Sequence, residues 1–514
     1  MKKRNINEIR KSLLIDPYYR RVHGKINTIA APTNLGKTYS IFKNIIPQAI
    51  KKEGVKKIII TCPDTAVHTQ SIEAYESDVV GSGAALYTKS NIKRFLAAVH
   101  PSVLLLSLAK AVHGESDTPD ILIELAEKLG NKAMFIADEI HYGGTTEADN
   151  YLLNTGGDPK PNSKYAFANL LVKLSQHSKN VIAYTATPLH EMVSDMGVDI
   201  YGDDRGRYEI LTNEQDWPKG DEFSLFNARL GGYVLVPEWI NNSNAVKELG
   251  LINTLFDDPK IGLHQHLQNI DFFTNRIKKH ALNTEYENKL NNILDNRTIT
   301  HIIAGSQFDT PSNNSADVDE VINSLQQALK KYSERYEGKK PIAVVRSGKC
   351  TIYDIENGNA ETFHKDSLDD LLEDERYGIE YIISIEMLKM GWNEKRISHS
   401  VQVRKRSQKL KDNPVVHTIV QSWARSIRQN TGLKGINSID ELKRLVVNMP
   451  ANLRIAIIDY AKYMNQFFLI SPDEIIYKNG IEVFKEKYVT DIPFTWGTCV
   501  IVDHECEDPF CTVA

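Results

Sequence analysis

The sequence predicts an α/β protein with two tandem parallel-sheet domains, an inserted helical segment and a small C-terminal region. Three observations predict it. Short β-rich apolar runs alternate with helical patterns from residue 26 to 187. The same rhythm resumes at residue 298, and a loop of phosphate-binding spacing joins the first strand to the first helix. At the usual domain size of about 100 to 200 residues, a chain of 514 residues accommodates roughly three units.

In the first unit, strands are expected at Ile26–Ala30, Lys57–Thr61, Val103–Leu106, Ala133–Ala137 and Val181–Tyr184. Helices are expected between them, at Thr38–Lys51 and Ile121–Leu129, and this alternation implies a parallel sheet wrapped on both faces. From about 196 to 298 the rhythm breaks. That segment holds the turn-rich Tyr201-Gly202-Asp203-Asp204-Arg205-Gly206, an expected strand at Tyr233–Val236 and a long polar helical pattern over Leu263–Leu294, and it reads as an insertion or helical connector. The α/β pattern returns with a strand at Thr298–Ala304, a helix at Val318–Tyr332, a strand at Pro341–Val345, a helix at Ser367–Glu373 and a strand at Tyr381–Ile385. The expected domains are therefore 1–195, 196–298, 299–432 and 433–514, and no repeat of solenoid period is present.

Composition narrows the class. Hydrophobic residues at 41%, charged residues at 25%, 29 Gly and 19 Pro exclude collagen-like, low-complexity and wholly disordered chains. Lys plus Arg number 62 against 66 Asp plus Glu, and the net charge of −4 gives no global attraction to a polyanion, so any nucleic-acid surface has to be a local patch. Met1-Lys2-Lys3-Arg4 runs into Asn5, Asn7 and Glu8 with no apolar stretch, unlike a secretory signal. Apolar runs such as Val103–Leu106 fall far short of the roughly 20 residues that a membrane helix needs. With five cysteines in no disulfide-framework pattern, a soluble protein of a reducing cytoplasm, without a membrane partner, is expected.

Ala31-Pro32-Thr33-Asn34-Leu35-Gly36-Lys37-Thr38 has the spacing of a phosphate-binding loop, with Ala31 at the position usually Gly. In such a loop backbone N–H groups and the positive end of the helix dipole meet the phosphates. Lys37 neutralises the β- and γ-phosphates, and the Thr38 hydroxyl ligates Mg²⁺. The bland alternative is a strand-to-helix turn carrying an exposed lysine. Against it stands a second feature: the apolar run Ala133–Ala137 ends in Asp138-Glu139-Ile140-His141, and carboxylates at the C-terminal edge of a parallel strand sit where α/β sheets bind ligands. Asp138 is suited to hold Mg²⁺ through water, and Glu139 to orient and deprotonate the attacking water.

At this point the sequence resembles the superfamily-two helicases and translocases, over both α/β units and in the family's motif order. Asp138-Glu139-Ile140-His141 resembles the DEAH-type box. Pro63-Asp64-Thr65-Ala66-Val67-His68-Thr69-Gln70 keeps the Pro and Gln spacing of motif Ia, which implies contact with a nucleic-acid backbone. Thr185-Ala186-Thr187-Pro188 resembles motif III, which in the family links hydrolysis to movement between lobes. Glu386-Met387-Leu388-Lys389-Met390-Gly391-Trp392-Asn393 resembles motif V, with Gly391 expected beside the nucleotide and Asn393 standing where the family usually has Asp. Gln421-Ser422-Trp423-Ala424-Arg425-Ser426-Ile427-Arg428 resembles motif VI, with Ala424 in place of Gly. Residues spaced by four and three share a helix face, so Gln421, Arg425 and Arg428 can reach a γ-phosphate together.

The resemblance implies two RecA-like lobes that bind ATP with Mg²⁺ and act on nucleic acid, with motifs V and VI nearer to phage and restriction-type DNA enzymes than to RNA-specific ones. The nucleotide would lie against Pro32, Thr33, Asn34, Leu35, Gly36, Lys37, Thr38, Asp138 and Gly391, with Thr38 and Asp138 as metal ligands. Lys37, Glu139, Gln421, Arg425 and Arg428 would carry catalysis. The alternatives are an RNA helicase and, as a different class of answer, a phosphate-loop regulator whose closure recruits a protein partner. No adenine-reading glutamine motif precedes the loop; Asp16-Pro17-Tyr18-Tyr19-Arg20-Arg21 could hold the base by stacking. Lys395, Arg396, Arg404, Lys405, Arg406, Lys409 and Lys411 form a cationic stretch that either grips phosphates or is a solvated surface. Trp392 and Trp423 suit packing as well as base stacking. Cys499, His504, Cys506 and Cys511, spaced C-x4-H-x-C-x4-C, could be closed by zinc or belong to a tail of unpaired thiols. No acidic cluster of nuclease type stands out.

Overall fold

The computed structural model describes residues 6–32, 35–62, 65–108, 117–138, 171, 174–178, 180–185, 208–212, 216–217, 252, 255–256, 263–304, 314–346, 348–356, 360–384, 394–403, 423, 426, 428, 430–436, 439–465 and 467–470. The chain divides near residue 223 into two compact units, each built on a seven-stranded sheet.

The first sheet comprises β1 (Ile26–Ala30), β2 (Lys57–Cys62), β3 (Ala85–Tyr87), β4 (Ser102–Ser107), β5 (Ala133–Ala137), β6 (Val181–Thr185) and β7 (Tyr208–Thr212). Their order is β3-β4-β2-β5-β6-β1-β7, with every neighbouring pair parallel. A parallel sheet needs crossovers, which cover both of its faces, so its strands are apolar along their whole length rather than at alternate positions. The strands β1, β2, β5 and β6 are buried at every position, with β1 carrying the polar Asn27 and Thr28 under that cover. On one face Ile58, Ile60 and Cys62 pack with Ile41, Phe42 and Ile45 of the helical run that follows the phosphate loop, and with Leu13, Leu14 and Tyr18 from the N-terminal helices. On the other, Ile59, Leu104 and Phe135 pack with Phe95 and with Leu122 and Leu125 of the helix Thr118–Leu129.

The second sheet comprises β8 (Ile299–Ile303), β9 (Ile342–Arg346), β10 (Lys349–Tyr353), β11 (Glu361–His364), β12 (Tyr381–Ser384), β13 (Ile397–Gln402) and β14 (Phe468–Ile470), ordered β11-β10-β9-β12-β8-β13-β14. It is parallel from β9 to β14 and closes one edge with the antiparallel meander β9-β10-β11. Ile302, Val344, Ile383 and Val401 pack with Val321, Leu325 and Leu329 of the helix Asn314–Lys330. Two tandem, parallel-dominated α/β sheets are the architecture expected of RecA-like lobes.

The helical segment and the C-terminal region, set apart in the sequence reading, contribute to this same second unit over their described residues. Ile270 and Ile277 of the helix Leu263–Ala281 share one apolar layer with Leu290 and with Leu453, Ile457 and Tyr460 of the helix Ala451–Met464. Strand β14 then pairs with β13. The strand expected at Tyr233–Val236 lies outside the described residues.

Candidate nucleotide site

Strand β1 delivers the chain to the loop, and the Ala31 N–H donates to the Thr185 carbonyl at 2.9 Å, carrying the β1–β6 ladder one residue beyond the strand. Gly36 has φ +88° and ψ +50°, the left-handed region where a side chain is strained, so a glycine is required at this position. Its carbonyl accepts from the Ser40 N–H at 2.9 Å, which starts the helix at Lys37. Lys37 is only 6% exposed, a burial that lysines rarely show.

Asp138 follows β5, is 2% exposed, and its N–H donates to the Thr61 carbonyl of β2 at 3.0 Å. The Thr38 Oγ1 hydroxyl donates to Asp138 Oδ2 at 2.7 Å, joining residues 100 apart in sequence. Strand β6 lies between β1 and β5, so the loop, Thr185 and Asp138 meet at the C-terminal edge of three adjacent strands. Ligands bind at this edge in open α/β sheets. Two hard oxygens 2.7 Å apart, one an anionic carboxylate, are a donor set that fits a cation such as Mg²⁺, which takes oxygen ligands.

Two tyrosines lie near Asp138. Burial, followed by the charge of Asp138, holds the Tyr75 and Tyr184 phenols above the usual range, so both stay protonated. Tyr75, on the helix Thr65–Gly81, stacks on Phe42 with ring centroids 4.7 Å apart and planes 5° from parallel. On the same helix, His68 Nε2 lies 3.2 Å from the Leu105 carbonyl, and burial lowers its pKa below the usual histidine value. That value and contact fit a neutral ring donating from Nε2.

An arginine that no motif pointed to also reaches the loop. Arg10 ends the helix Ile6–Arg10, and its Nε donates to the Leu35 carbonyl at 2.8 Å. Its guanidinium carbon stands 4.8 Å from the centroid of the Tyr39 ring. The stretch offered for base stacking is built differently: Tyr18 is wholly buried, and Arg21 lies 4.2 Å over its ring and pairs with Glu53. Tyr19 alone of that tyrosine pair is well exposed.

Of the expected nucleotide-site residues, Pro32, Leu35, Gly36, Lys37, Thr38 and Asp138 come together in the first unit. Thr33, Asn34, Glu139, Gly391, Gln421 and Arg425 lie outside the described residues, as does the Cys499, His504, Cys506 and Cys511 group. Among the described residues no cluster of three or more His, Cys, Asp or Glu could hold a metal ion. None of their helices is long and apolar enough to cross a membrane.

In the second unit Arg428 is half-buried. Burial and then the charge of Arg428 depress the Lys395 pKa, so these two cations sit near each other. Trp423 is wholly buried and is a packing residue rather than a base-stacking one. The Ser426 N–H donates to the Trp423 carbonyl at 2.9 Å, and its hydroxyl lies 2.6 Å from the Ser400 hydroxyl on β13. Arg396, placed in the cationic stretch by sequence, neither faces water nor grips phosphate: it is 7% exposed and pairs with Glu394 at 2.6 Å and Glu373 at 2.8 Å.

No protein-family model matches the sequence, and no curated protein matches it. Among solved structures, the chain is similar to S. cerevisiae Dbp5 bound to RNA and ADP BeF3, with a TM-score of 0.40 and 11% identity over 96% of this chain and 88% of that one. It is also similar to a substituted Dbp5 bound to the same ligands, with a TM-score of 0.40 and 12% identity over 94% and 92%. A substituted Dbp5 bound to a Gle1 variant and IP6 gives a TM-score of 0.39 and 13% identity over 90% and 88%. Likeness at this level identifies neither the ligand nor the substrate of this chain.

Proposed function

We propose that the chain is an ATP-hydrolysing motor of the helicase or translocase type, driven by nucleic acid. The observation that carries the reading is the 2.7 Å bond between Thr38 and Asp138, beside a left-handed Gly36 and a buried Lys37. A plain strand-to-helix turn accounts for the left-handed glycine but not for a buried lysine or a bond to a carboxylate 100 residues away. In this reading the loop amides and Lys37 hold the β- and γ-phosphates, and Thr38 with Asp138 would hold Mg²⁺. Such an ion would supply neutralisation of the charge that builds on the phosphates. Glu139, next to Asp138, orients the attacking water and takes its proton.

From the second unit, Arg425 and Arg428 supply guanidinium groups to the γ-phosphate when the lobes close, with Gln421 on the same face and Gly391 beside the nucleotide. Arginines in this role raise phosphoryl-transfer rates by about 10³ to 10⁵ in other systems. Repeated closure and release then moves the lobes along a strand. The motif resemblance favours DNA as that strand.

The test is steady-state phosphate release from ATP with single- and double-stranded DNA and RNA as separate arms, and Lys37→Ala as the control. Stimulation by DNA, abolished in the control, is the expected result. Stimulation by RNA alone would keep the motor and reassign its track. Turnover in Lys37→Ala equal to wild type would sink the phosphate-loop assignment, and polymer-independent turnover would favour the regulator that recruits a protein partner.

A further inference from the structure

We infer that Arg10 is a positioning residue of the nucleotide site, clamping the phosphate loop at the Leu35–Gly36 peptide and thereby setting affinity for the β-phosphate. The inference rests on the ATP reading above and adds an element that the motifs do not contain, an N-terminal helix acting on the loop from 25 residues upstream.

The peptide plane carries the argument. In a trans peptide the carbonyl of one residue and the N–H of the next point in opposite directions. Because Arg10 Nε holds the Leu35 carbonyl at 2.8 Å, the Gly36 N–H is aimed away from Arg10. Phosphate binding by such loops depends on backbone N–H groups held in one orientation before the ligand arrives. Gly36, at φ +88°, lacks the Cβ that would otherwise bias that peptide, so an external restraint has something to decide.

The guanidinium is itself held on three sides. Its Nη1 donates to Asn7 Oδ1 at 3.0 Å, its plane lies by the Tyr39 ring, and a Cβ built on Gly36 would meet its Nε and Nη2 at 3.1 Å. Gly36 is thus favoured by its backbone angles, and a side chain there would also crowd Arg10. A planar fork with several donors can make the carbonyl bond, the Asn7 bond and the ring contact together, whereas an ammonium cannot.

Among the described residues, Arg10 bonds to the Leu35 carbonyl and to Asn7 and lies by the Tyr39 ring. ATP and ADP both present a β-phosphate to the loop, so loss of the clamp is expected to weaken binding of both, raising KM with a smaller change in kcat. For Arg10→Ala the expected result is a rise of about tenfold in both the KM for ATP and the Kd for ADP, with kcat within about threefold of wild type. Arg10→Lys should stay close to the alanine variant, because charge alone does not rebuild the fork. Tyr39→Leu, at a partly exposed position, should give a smaller rise in both constants.

ADP titration and steady-state ATPase assays on the full chain, each variant checked by its thermal melt, decide the matter. Wild-type KM and ADP affinity in Arg10→Ala, or a loss confined to kcat, would overturn the clamp. If Arg10→Ala does not fold, unchanged ADP affinity in a folded Tyr39→Leu would overturn it as well. A wild-type chain that binds no ADP fails the ATP reading itself, whereas one that binds ADP with an indifferent Arg10 fails only this inference.

Discussion

Thr38 and Asp138 show how far a single hydrogen bond can fix a site. Thr38→Val keeps the shape of the side chain but removes the donor to a buried carboxylate. The expected cost in the nucleotide-free protein is about 1 to 3 kcal/mol, because the lost bond is charge-assisted. Denaturant melts measure it, Thr38→Ser should recover most of it, and equal stability in all three proteins would show that the bond is not formed in solution. His68 gives a second residue-scale prediction. Burial lowers its folded pKa below the unfolded value of about 6.5, so the unfolded chain binds the proton more readily. Its contribution is therefore complete above that value and is lost as pH falls through the lowered folded pKa. Comparing the pH dependence of stability in His68→Gln and wild type should show a shallower acid-side slope in the variant, and an unchanged slope would refute the assignment. The residues of this site were legible to different degrees. Lys37, Thr38 and Asp138 stand out because phosphate chemistry requires them at fixed offsets from strand ends. Arg10 acts through a contact that only the folded chain creates, and no local spacing announces it.

At the scale of elements, legibility followed apolar content rather than burial alone. Strands β1 and β5 appear at their predicted bounds, and β2, β4 and β6 within one residue at either end, because their apolar residues stand out between polar turns. Strand β13 was missed although all six of its residues are buried, since Ser398, His399, Ser400 and Gln402 make its sequence polar. Hydrogen bonding offsets that polarity: the Ser398 hydroxyl lies 2.8 Å from His399 Nδ1, and Ser400 meets Ser426. The hairpin β10–β11 was missed because its outer strand is mostly exposed and carries no apolar period. Arg396 misled in the other direction, since a cation beside other cations gives no hint that Glu394 and Glu373 will enclose it. Gly432 yields a prediction at this scale. It has φ +68°, and an added Cβ would lie 2.3 Å from Tyr460 Cε1 on the helix Ala451–Met464. Tyr460 is wholly buried, with its hydroxyl donating to the Asp295 carbonyl at 2.7 Å, so it has little room to retreat. Overpacking and left-handed strain together should cost Gly432→Ala about 2 to 4 kcal/mol. A chemical-denaturation midpoint equal to wild type would contradict this packing.

The whole molecule determines where the chain can be cut. The sequence alone suggests a first lobe over 1–195, a connector over 196–298, and a cut near 298 that would remove the second lobe. The fold places that cut inside the second unit, because the helix Leu263–Ala281 has its apolar face against the helix Ala451–Met464. A fragment ending at 298 would keep Ile270 and Ile277 but lose Leu453, Ile457 and Tyr460, leaving a helix stripe exposed to water. Apolar stripes of that kind drive association. A fragment ending at Phe223 retains the first sheet with its flanking helices and avoids that stripe. The shorter fragment is thus expected to be monomeric with a cooperative melt, and the longer one to aggregate. In the proposed function the shorter fragment keeps Lys37, Thr38 and Asp138 but lacks Arg425 and Arg428. It should bind ADP and show no polymer-stimulated hydrolysis, a separation of binding from chemistry that light scattering, ADP titration and phosphate release can each measure. Hydrolysis at the full stimulated rate by the fragment ending at Phe223 would refute the two-lobe mechanism. A soluble, monomeric fragment ending at 298 would instead show that the helix Leu263–Ala281 does not depend on its C-terminal partner.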